Sequence, residues 1–258
     1  MDKVSYLLKK QSLKDNELKF SKEDFCFRCY RIQKNCLCQE IISFTPETEL
    51  IILMHPMEAK KEKMGTGRIT KAFLSNSHLI IGIDFTNDLI LNKLLADKNY
   101  EHYLIYPGEK SINLSKEISE TPLKTTKKKN RFIVIDGTWP CAKKMMKLSI
   151  NLHSLPRVSF EVEKESLFDI KEQPAKYCLS TIESVHKIYD LLETHQIENL
   201  KGAHHQMLQA FKKLVDFQKA CASNPDLPSY RKKKEGYSHK KDRAPAKKWD
   251  YRSIVFKD

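Results

Sequence analysis

Residues 131–146 read RFIVIDGTWPCAKKMM, and the fold turns on them. The stretch opens with four apolar residues in a row, Phe132 to Ile135, without polar alternation. A strand that is apolar on both faces is one covered on both faces, as in a parallel sheet flanked by helices. The run stops at Asp136, and Gly137 permits a tight turn or the close approach of another group. Thr138 stands where a helix cap belongs, and Pro140 suits a first helical turn. The segment therefore predicts a strand, a turn and a helix. In open parallel sheets ligands bind beyond the carboxyl ends of the strands, so Ile135, Asp136, Thr138 and Trp139 become candidate site residues. An ordinary strand-to-helix turn with a buried Trp is the competing reading.

Outward from this unit the same alternation repeats. Strands are expected at 49–55 (ELIILMH), 78–83 (HLIIGI), 101–107 (EHYLIYP) and 156–160 (PRVSF), with a further short one at 175–181 (AKYCLST). Helices are expected at 68–76, 86–97, 141–148, 181–195 and 199–222. Asn87 or Thr86 would cap the second of these, and Ser180 with Glu183 three residues on would form a capping box for the fourth. The order is that of an α/β domain with a mostly parallel sheet. Four segments follow: an N-terminal extension (1–22), a cysteine-bearing element (23–45), a catalytic domain (46–222) and a basic tail (223–258).

Composition narrows the class. The 258 residues are 40% hydrophobic, enough for one substantial core. No apolar run approaches the ~18–20 residues of a membrane span, and the Lys-bearing N-terminus lacks the apolar stretch of a secretory signal. A cytoplasmic protein with no membrane and no obligate protein partner is the expectation. Lys and Arg number 46 against 33 acids, a formal net charge of +13, which favours a polyanionic partner. The run Lys124, Lys127, Lys128, Lys129 and Arg131 is one candidate for phosphate contact. The tail from Arg231, where Tyr230, Tyr237, Trp249 and Tyr251 interleave with basic residues, is the other, and a solubilising tail is its alternative.

Four of the seven cysteines fall within thirteen residues: Cys26, Cys29, Cys36 and Cys38. An odd total argues against a disulfide framework. Two closely spaced pairs can close a tetrahedron of thiolates around Zn²⁺, and a segment too short for an apolar core would draw its folding energy from that metal. A redox pair or incidental cysteines are the alternatives. His204 and His205 have no partner at metal-ligand spacing and are expected to be ordinary packing or surface residues.

Asp136-Gly-Thr138-Trp139 resembles the Asp-x-Thr-Trp signature of the DTW-domain family, and the cysteine set resembles that family's N-terminal metal motif. Further elements agree in order: His55-Pro-Met-Glu58, Thr66-Gly67-Arg68, Tyr106-Pro107-Gly108-Glu109, Ala142-Lys143-Lys-Met and Leu179-Ser180-Thr181-Ile-Glu183. The resemblance covers about residues 24–220. It implies a tRNA-uridine aminocarboxypropyltransferase that moves the 3-amino-3-carboxypropyl group of S-adenosylmethionine to N3 of a tRNA uridine. It also implies kinship to SPOUT methyltransferases, with a C-terminal trefoil knot of the kind otherwise nearly absent from proteins.

On that resemblance Asp136, Thr138 and Trp139 are the expected catalytic residues. Asp136 either assists loss of the N3 proton or holds the ammonium group of the cofactor; a plain turn cap is its bland role. Tyr106, Pro107, Gly108, Ile135, Asp136, Trp139, Ala142, Leu179, Ser180 and Thr181 are expected to contact S-adenosylmethionine. His55, Glu58, Arg68, Lys143 and Glu183 are expected on the tRNA side, with core packing for His55 and helix capping for Glu183 as alternatives. A SPOUT-type RNA methyltransferase and a non-enzymatic zinc-containing RNA-binding protein are the competing functions. The by-product separates the first, 5′-methylthioadenosine against S-adenosylhomocysteine; absence of cofactor uptake marks the second.

Overall fold

The computed structural model describes residues 36–61, 65–108, 110–117, 127–168 and 178–223, together with Cys26, Gln33 and Leu123. The N-terminal extension (1–22), Cys29, Glu109, Lys124, the tail beyond Ser223, and Arg28, Arg31 and Lys34 of the cysteine-bearing element, expected as a phosphate contact or a solvated face, lie outside the described residues.

Six strands form one sheet: β1 (Glu49–Met54), β2 (Ser77–Ile81), β3 (Tyr100–Ile105), β4 (Ile112–Asn113), β5 (Lys129–Asp136) and β6 (Arg157–Ser159). Their order is β2-β1-β5-β3-β6-β4, and every pairing among them is parallel. The helices are α1 (Pro56–Lys61), α2 (Thr66–Phe73), α3 (Leu89–Leu95), α4 (Leu114–Glu117), α5 (Trp139–Leu148), α6 (Thr181–Thr194) and α7 (His205–Ser223).

The apolar runs explain the layering. Leu50 and Ile52 of β1, with Phe132 and Val134 of β5, join the core beneath α2, α6 and α7. Their neighbours Ile51, Leu53 and Ile133 join the core with Leu91 of α3 and Met145 and Met146 of α5. Successive strand residues point to opposite faces, so only an uninterrupted apolar run can fill two cores at once. Each buried Leu or Ile contributes about 1.5–3 kcal/mol, and β1 is buried along its whole length.

The same alternation aims the site. Asp136 shares the parity of Phe132 and Val134, so its side chain goes toward α2 and α6. Ile135 goes the other way, toward the core under α5. Parity in β5 thus divides the signature turn between two layers.

Several sequence expectations change. The helix at 89–95 is capped by Asp88, whose carboxylate accepts from the Leu91 backbone N–H at 2.8 Å. Thr86 instead donates its hydroxyl to the Leu148 carbonyl at 3.0 Å, tying α3 to the end of α5. Thr138 occupies the cap position of α5 with extended backbone, but its side chain makes no cap hydrogen bond. Cys178 to Ser180, the described part of the suspected strand at 175–181, is not a strand, and α6 begins at Thr181. Strand β4 is only two residues long and has no apolar run to announce it. The last helix starts at His205 rather than 199, because Lys201 and Gly202 take positive φ (51° and 73°), which a helix does not tolerate. No helix among the described residues is long and apolar enough to cross a membrane.

Candidate functional site

β5 lies between β1 and β3, whose chains leave in opposite directions along the sheet, β1 to β2 and β3 to β4. A crevice at such a switch is where open α/β sheets place their ligands. The elements that meet there are the ends of β1, β5 and β3 and the first turns of α1, α2, α5 and α6.

Asp136 is 5% exposed and closes β5 opposite Met54. Its Oδ1 accepts the Thr181 hydroxyl at the first residue of α6. Its other side stands against the first turn of α2: a Cβ built on Gly67 would lie 2.6 Å from Oδ2. Gly67 is glycine because the carboxylate occupies the space of a side chain. Two helix starts therefore face one buried carboxylate, and the positive end of each helix dipole supports its negative charge.

The Asp136 carbonyl accepts the His55 backbone N–H at 2.8 Å, which extends β1 by one residue beyond its strand. The buried His55 ring accepts through Nδ1 from the Met57 N–H at 3.2 Å and so starts α1. Gly137 is pinched: a Cβ there would lie 3.3 Å from the Cβ atoms of both Cys141 and His55. Its role is the close packing of β1 against α5. Trp139 opens α5 half-buried, and Ala142 is buried one turn later. Lys143 is exposed on the same helix. Arg68 donates to the Ala59 carbonyl at 3.3 Å and links α2 back to α1. Glu58 is buried on α1.

Tyr106 follows β3, buried, its N–H bonded to the Val158 carbonyl of β6 at 3.1 Å. Burial pushes its phenol up to about 12, so the ring is neutral at physiological pH. The Arg157 guanidinium lies 5.9 Å from its centroid and would stand 3.3 Å from a Cβ on Gly108. Pro107, between them, is exposed.

Glu183 is occupied by the protein's own donors. Oε2 accepts from the Ser180 N–H and the Ser166 hydroxyl, both at 2.8 Å, and from the Ser180 hydroxyl. Oε1 accepts from the Leu167 N–H at 2.7 Å. The capping box is present, and the same carboxylate fastens residues 166–168 over α6. Leu179, just ahead of it, is half-buried.

Arg131 corrects an expectation. It belongs to the basic run proposed for phosphate contact, yet it is 2% exposed and ion-paired with Glu49. Lys128 pairs with Glu101 at 2.8 Å. Both lie near the amino end of β5, the far end of the strand from Asp136.

Of the four cysteines, Cys26, Cys36 and Cys38 are described, and their sulfurs lie within 4.8 Å of one another. Cys26 and Cys38 Sγ are 3.4 Å apart, and the Cys38 N–H points at Cys36 Sγ at 3.4 Å. The element is anchored beside α7 by Ile41 in the core and by a Lys213–Glu40 ion pair. Sequence reading missed a second cluster: His186, His204 and His205 also gather within 4.8 Å. Its signal was present, since His186, Asp190 and Glu193 recur at the spacing of one helix face.

The DTW domain matches residues 23–219 of the chain. Curated relatives include tRNA-uridine aminocarboxypropyltransferase 2 of Mus musculus, 30% identical over 173 residues, which are 65% of this chain and 56% of that one. The protein of the same name in Drosophila melanogaster is 29% identical over 177 residues, 66% of each chain. tRNA-uridine aminocarboxypropyltransferase A of Arabidopsis thaliana is 24% identical over 237 residues, 80% of this chain and 85% of that one. The match thus spans little more than half the length of the mouse relative. No solved structure matches the chain.

Proposed function

Because the chain belongs to the DTW-domain family, we propose that it is a tRNA-uridine aminocarboxypropyltransferase using S-adenosylmethionine as co-substrate. The observation that carries this reading is the surroundings of Asp136. Four motifs far apart in sequence meet around that residue: His55 on its carbonyl, Gly67 against its carboxylate, Thr181 on its Oδ1, and its own turn. Turns that converge where the strand order switches are where open α/β sheets favour a ligand, which supports a shared site here.

The reaction joins uridine N3 to Cγ of the methionine moiety, breaks the sulfonium–Cγ bond and releases methylthioadenosine with the N3 proton. Choice of Cγ over the methyl carbon is a matter of alignment, so the residues that fix orientation matter most. In this reading Asp136, its charge supported by two helix starts, holds the ammonium of the aminocarboxypropyl group. That arrangement favours anchoring over proton abstraction. Trp139, Ala142, the turn at Tyr106, Pro107 and Gly108, and residues 179–181 line the co-substrate. Arg68 and Lys143 serve the carboxylate or the tRNA backbone. Glu183 acts by holding α6, whose first turn presents Thr181. Kinship to SPOUT enzymes and a trefoil knot belong to the same proposal, supported by the insertion of β5 between β1 and β3.

The cysteine element fits structural zinc. Three thiols converge at close to the ~3.8 Å ligand–ligand spacing of a tetrahedron with ~2.3 Å bonds, and a backbone N–H on Cys36 Sγ is the kind of contact that supports a thiolate. Cys29 would be the fourth ligand. Bound there, zinc would fix the element on α7 and supply no chemistry to the transfer.

The test is mass spectrometry of nucleosides and small-molecule products after incubating the protein with unmodified tRNA and S-adenosylmethionine. The expected result is a uridine heavier by one aminocarboxypropyl group with methylthioadenosine released, both lost in Asp136→Ala. A methylated base with S-adenosylhomocysteine would replace this reading with the methyltransferase.

A further inference from the structure

On α6, about a turn and a half beyond Thr181, His186 crowds together with His204 and His205 at the start of α7. His204 and His205 have ring centroids 4.0 Å apart, and His186 lies 5.0 and 5.3 Å from them. His186 Nε2 and His205 Nδ1 are 3.1 Å apart. His204 is fully buried, and neither of its ring nitrogens has a hydrogen-bond partner among the described residues. Buried polar atoms are seldom left so, and each orphan costs free energy unless another group satisfies it. Two carboxylates flank that ring just beyond hydrogen-bond range, Asp190 at 3.6 Å from Nε2 and Glu193 at 3.5 Å from Nδ1.

We propose that His186, His204 and His205 form a metal site for a divalent transition cation of the zinc type, separate from the cysteine element and from Asp136. Three imidazole nitrogens within 4.8 Å of one another suit a four-coordinate ion bound at about 2.0–2.1 Å. The 3.1 Å between His186 and His205 nitrogens is close to the ~3.3 Å edge of such a tetrahedron. Imidazole donors select zinc, nickel, cobalt or copper over magnesium and calcium. Asp190 stands on the helix face of His186, one turn on, and is placed either to orient the His204 ring or to supply the fourth ligand.

The backbone prepares the site before any ion arrives. Glu193 accepts from the Leu200 N–H at 2.8 Å and the Gly202 N–H at 3.3 Å, which folds the connection between α6 and α7 back on itself. Gln196 and Lys201, neither of them glycine, are held at φ of 59° and 51°. Residues kept in that region are strained and persist where the surroundings enforce them. Here the enforced turn delivers His204 and His205 against His186. Burial, with His204 nearby, pushes His186 down to about 4, and burial with His205 lowers His204. Both shifts favour the neutral imidazole, the form that binds metal. A bound ion would clip the start of α7 to α6.

The experiment uses the full chain without a polyhistidine tag, equilibrated with a small excess of Zn²⁺, passed through a desalting column and assayed for zinc by plasma mass spectrometry. His186 and His205 are the residues to change, since neither is fully buried. His186→Gln combined with His205→Gln is expected to lower the zinc content by one ion per chain. Unchanged content would overturn the proposal. A second measurement needs no variant: zinc should slow acylation of His186 and His205 by diethyl pyrocarbonate at least ten-fold in the wild-type chain. Equal rates with and without zinc would sink the site. Neither readout involves tRNA or transfer activity, so the outcome is independent of the transferase reading.

Discussion

Near the amino end of the sheet, Arg131 of β5 stands in register one residue from Glu49's neighbour Leu50 and directly opposite Glu49 itself. It is matched by a full countercharge, by the Leu94 carbonyl, and by the Tyr100 ring 3.6 Å beneath its guanidinium. At the carboxyl end of the same two strands, Asp136 stands opposite Met54 and is met by a hydroxyl and the first turns of two helices. Both charges are buried within one strand, about five residues or ~17 Å apart. The first is held by a side chain of opposite charge from the neighbouring strand. The second is held by a hydroxyl from the start of α6 and packs against the first turn of α2, at the strand end where open parallel sheets place their ligands. On the proposed reading the amino end holds the sheet and the carboxyl end carries the site.

The sharpest break in that comparison is Arg131→Met. Removing Arg131 leaves the buried Glu49 carboxylate with His78, 2.9 Å from its Oε1, and losing half of a buried ion pair costs about 3–5 kcal/mol. Urea denaturation should show that drop, while the molecules that remain folded keep their turnover. Asp136→Ala should show the reverse. Loss of its hydroxyl bond costs stability about 1–2 kcal/mol, against a fall in aminocarboxypropyl transfer of at least ~100-fold, the scale of a misplaced reacting group. Should Asp136→Ala unfold the chain and leave the specific activity of the residue unmoved, the two ends would be alike and the division wrong.

Glu183→Gln tests the next level down. The neutral amide keeps the shape of the capping box and loses charge-assisted bonds to Ser166, Leu167 and Ser180, a cost of about 1–2 kcal/mol. The expected kinetic effect is a higher KM for S-adenosylmethionine with kcat little changed, as Thr181 loses its fixed position. A kcat fall equal to that of Asp136→Ala would instead make Glu183 a group that acts on substrate directly.

How much of this was legible in the sequence follows from what each signal rests on. Unbroken apolar runs within β1 and β5, Leu50 to Met54 and Phe132 to Ile135, announced those strands, because residues that fill two cores leave no polar alternation. They were silent on β4, two residues long and held by β6 alone. The signature acid was visible, and Ser180 with Glu183 read correctly as a capping box, since that motif is local. Arg131 misled: a basic residue in a basic run reads as surface, and only register shows Glu49 opposite it. The gathering of His204 and His205 with His186 was hidden for the same reason, since His186 lies on another helix. What Gly67 does was also invisible, because the side chain it makes room for comes from 69 residues away.

That last contact yields the finest test. Gly67→Ala inserts a methyl 2.6 Å from Asp136 Oδ2 and 3.0 Å from Met54 Cε. Met54 can shift, but the carboxylate is fixed by Thr181, so the methyl must displace the acid or the first turn of α2. Alanine is the better helix former by up to about 1 kcal/mol, which offsets part of the clash. Net stability should therefore change by less than about 1 kcal/mol, while transfer falls roughly ten-fold, the cost of a small misplacement. The discriminating background is Asp136→Ala. With the carboxylate gone the methyl has room, so Gly67→Ala there should cost no further activity and should raise stability. An equal loss in both backgrounds would mean that Gly67 serves a ligand's approach in its own right, with the acid a bystander to it.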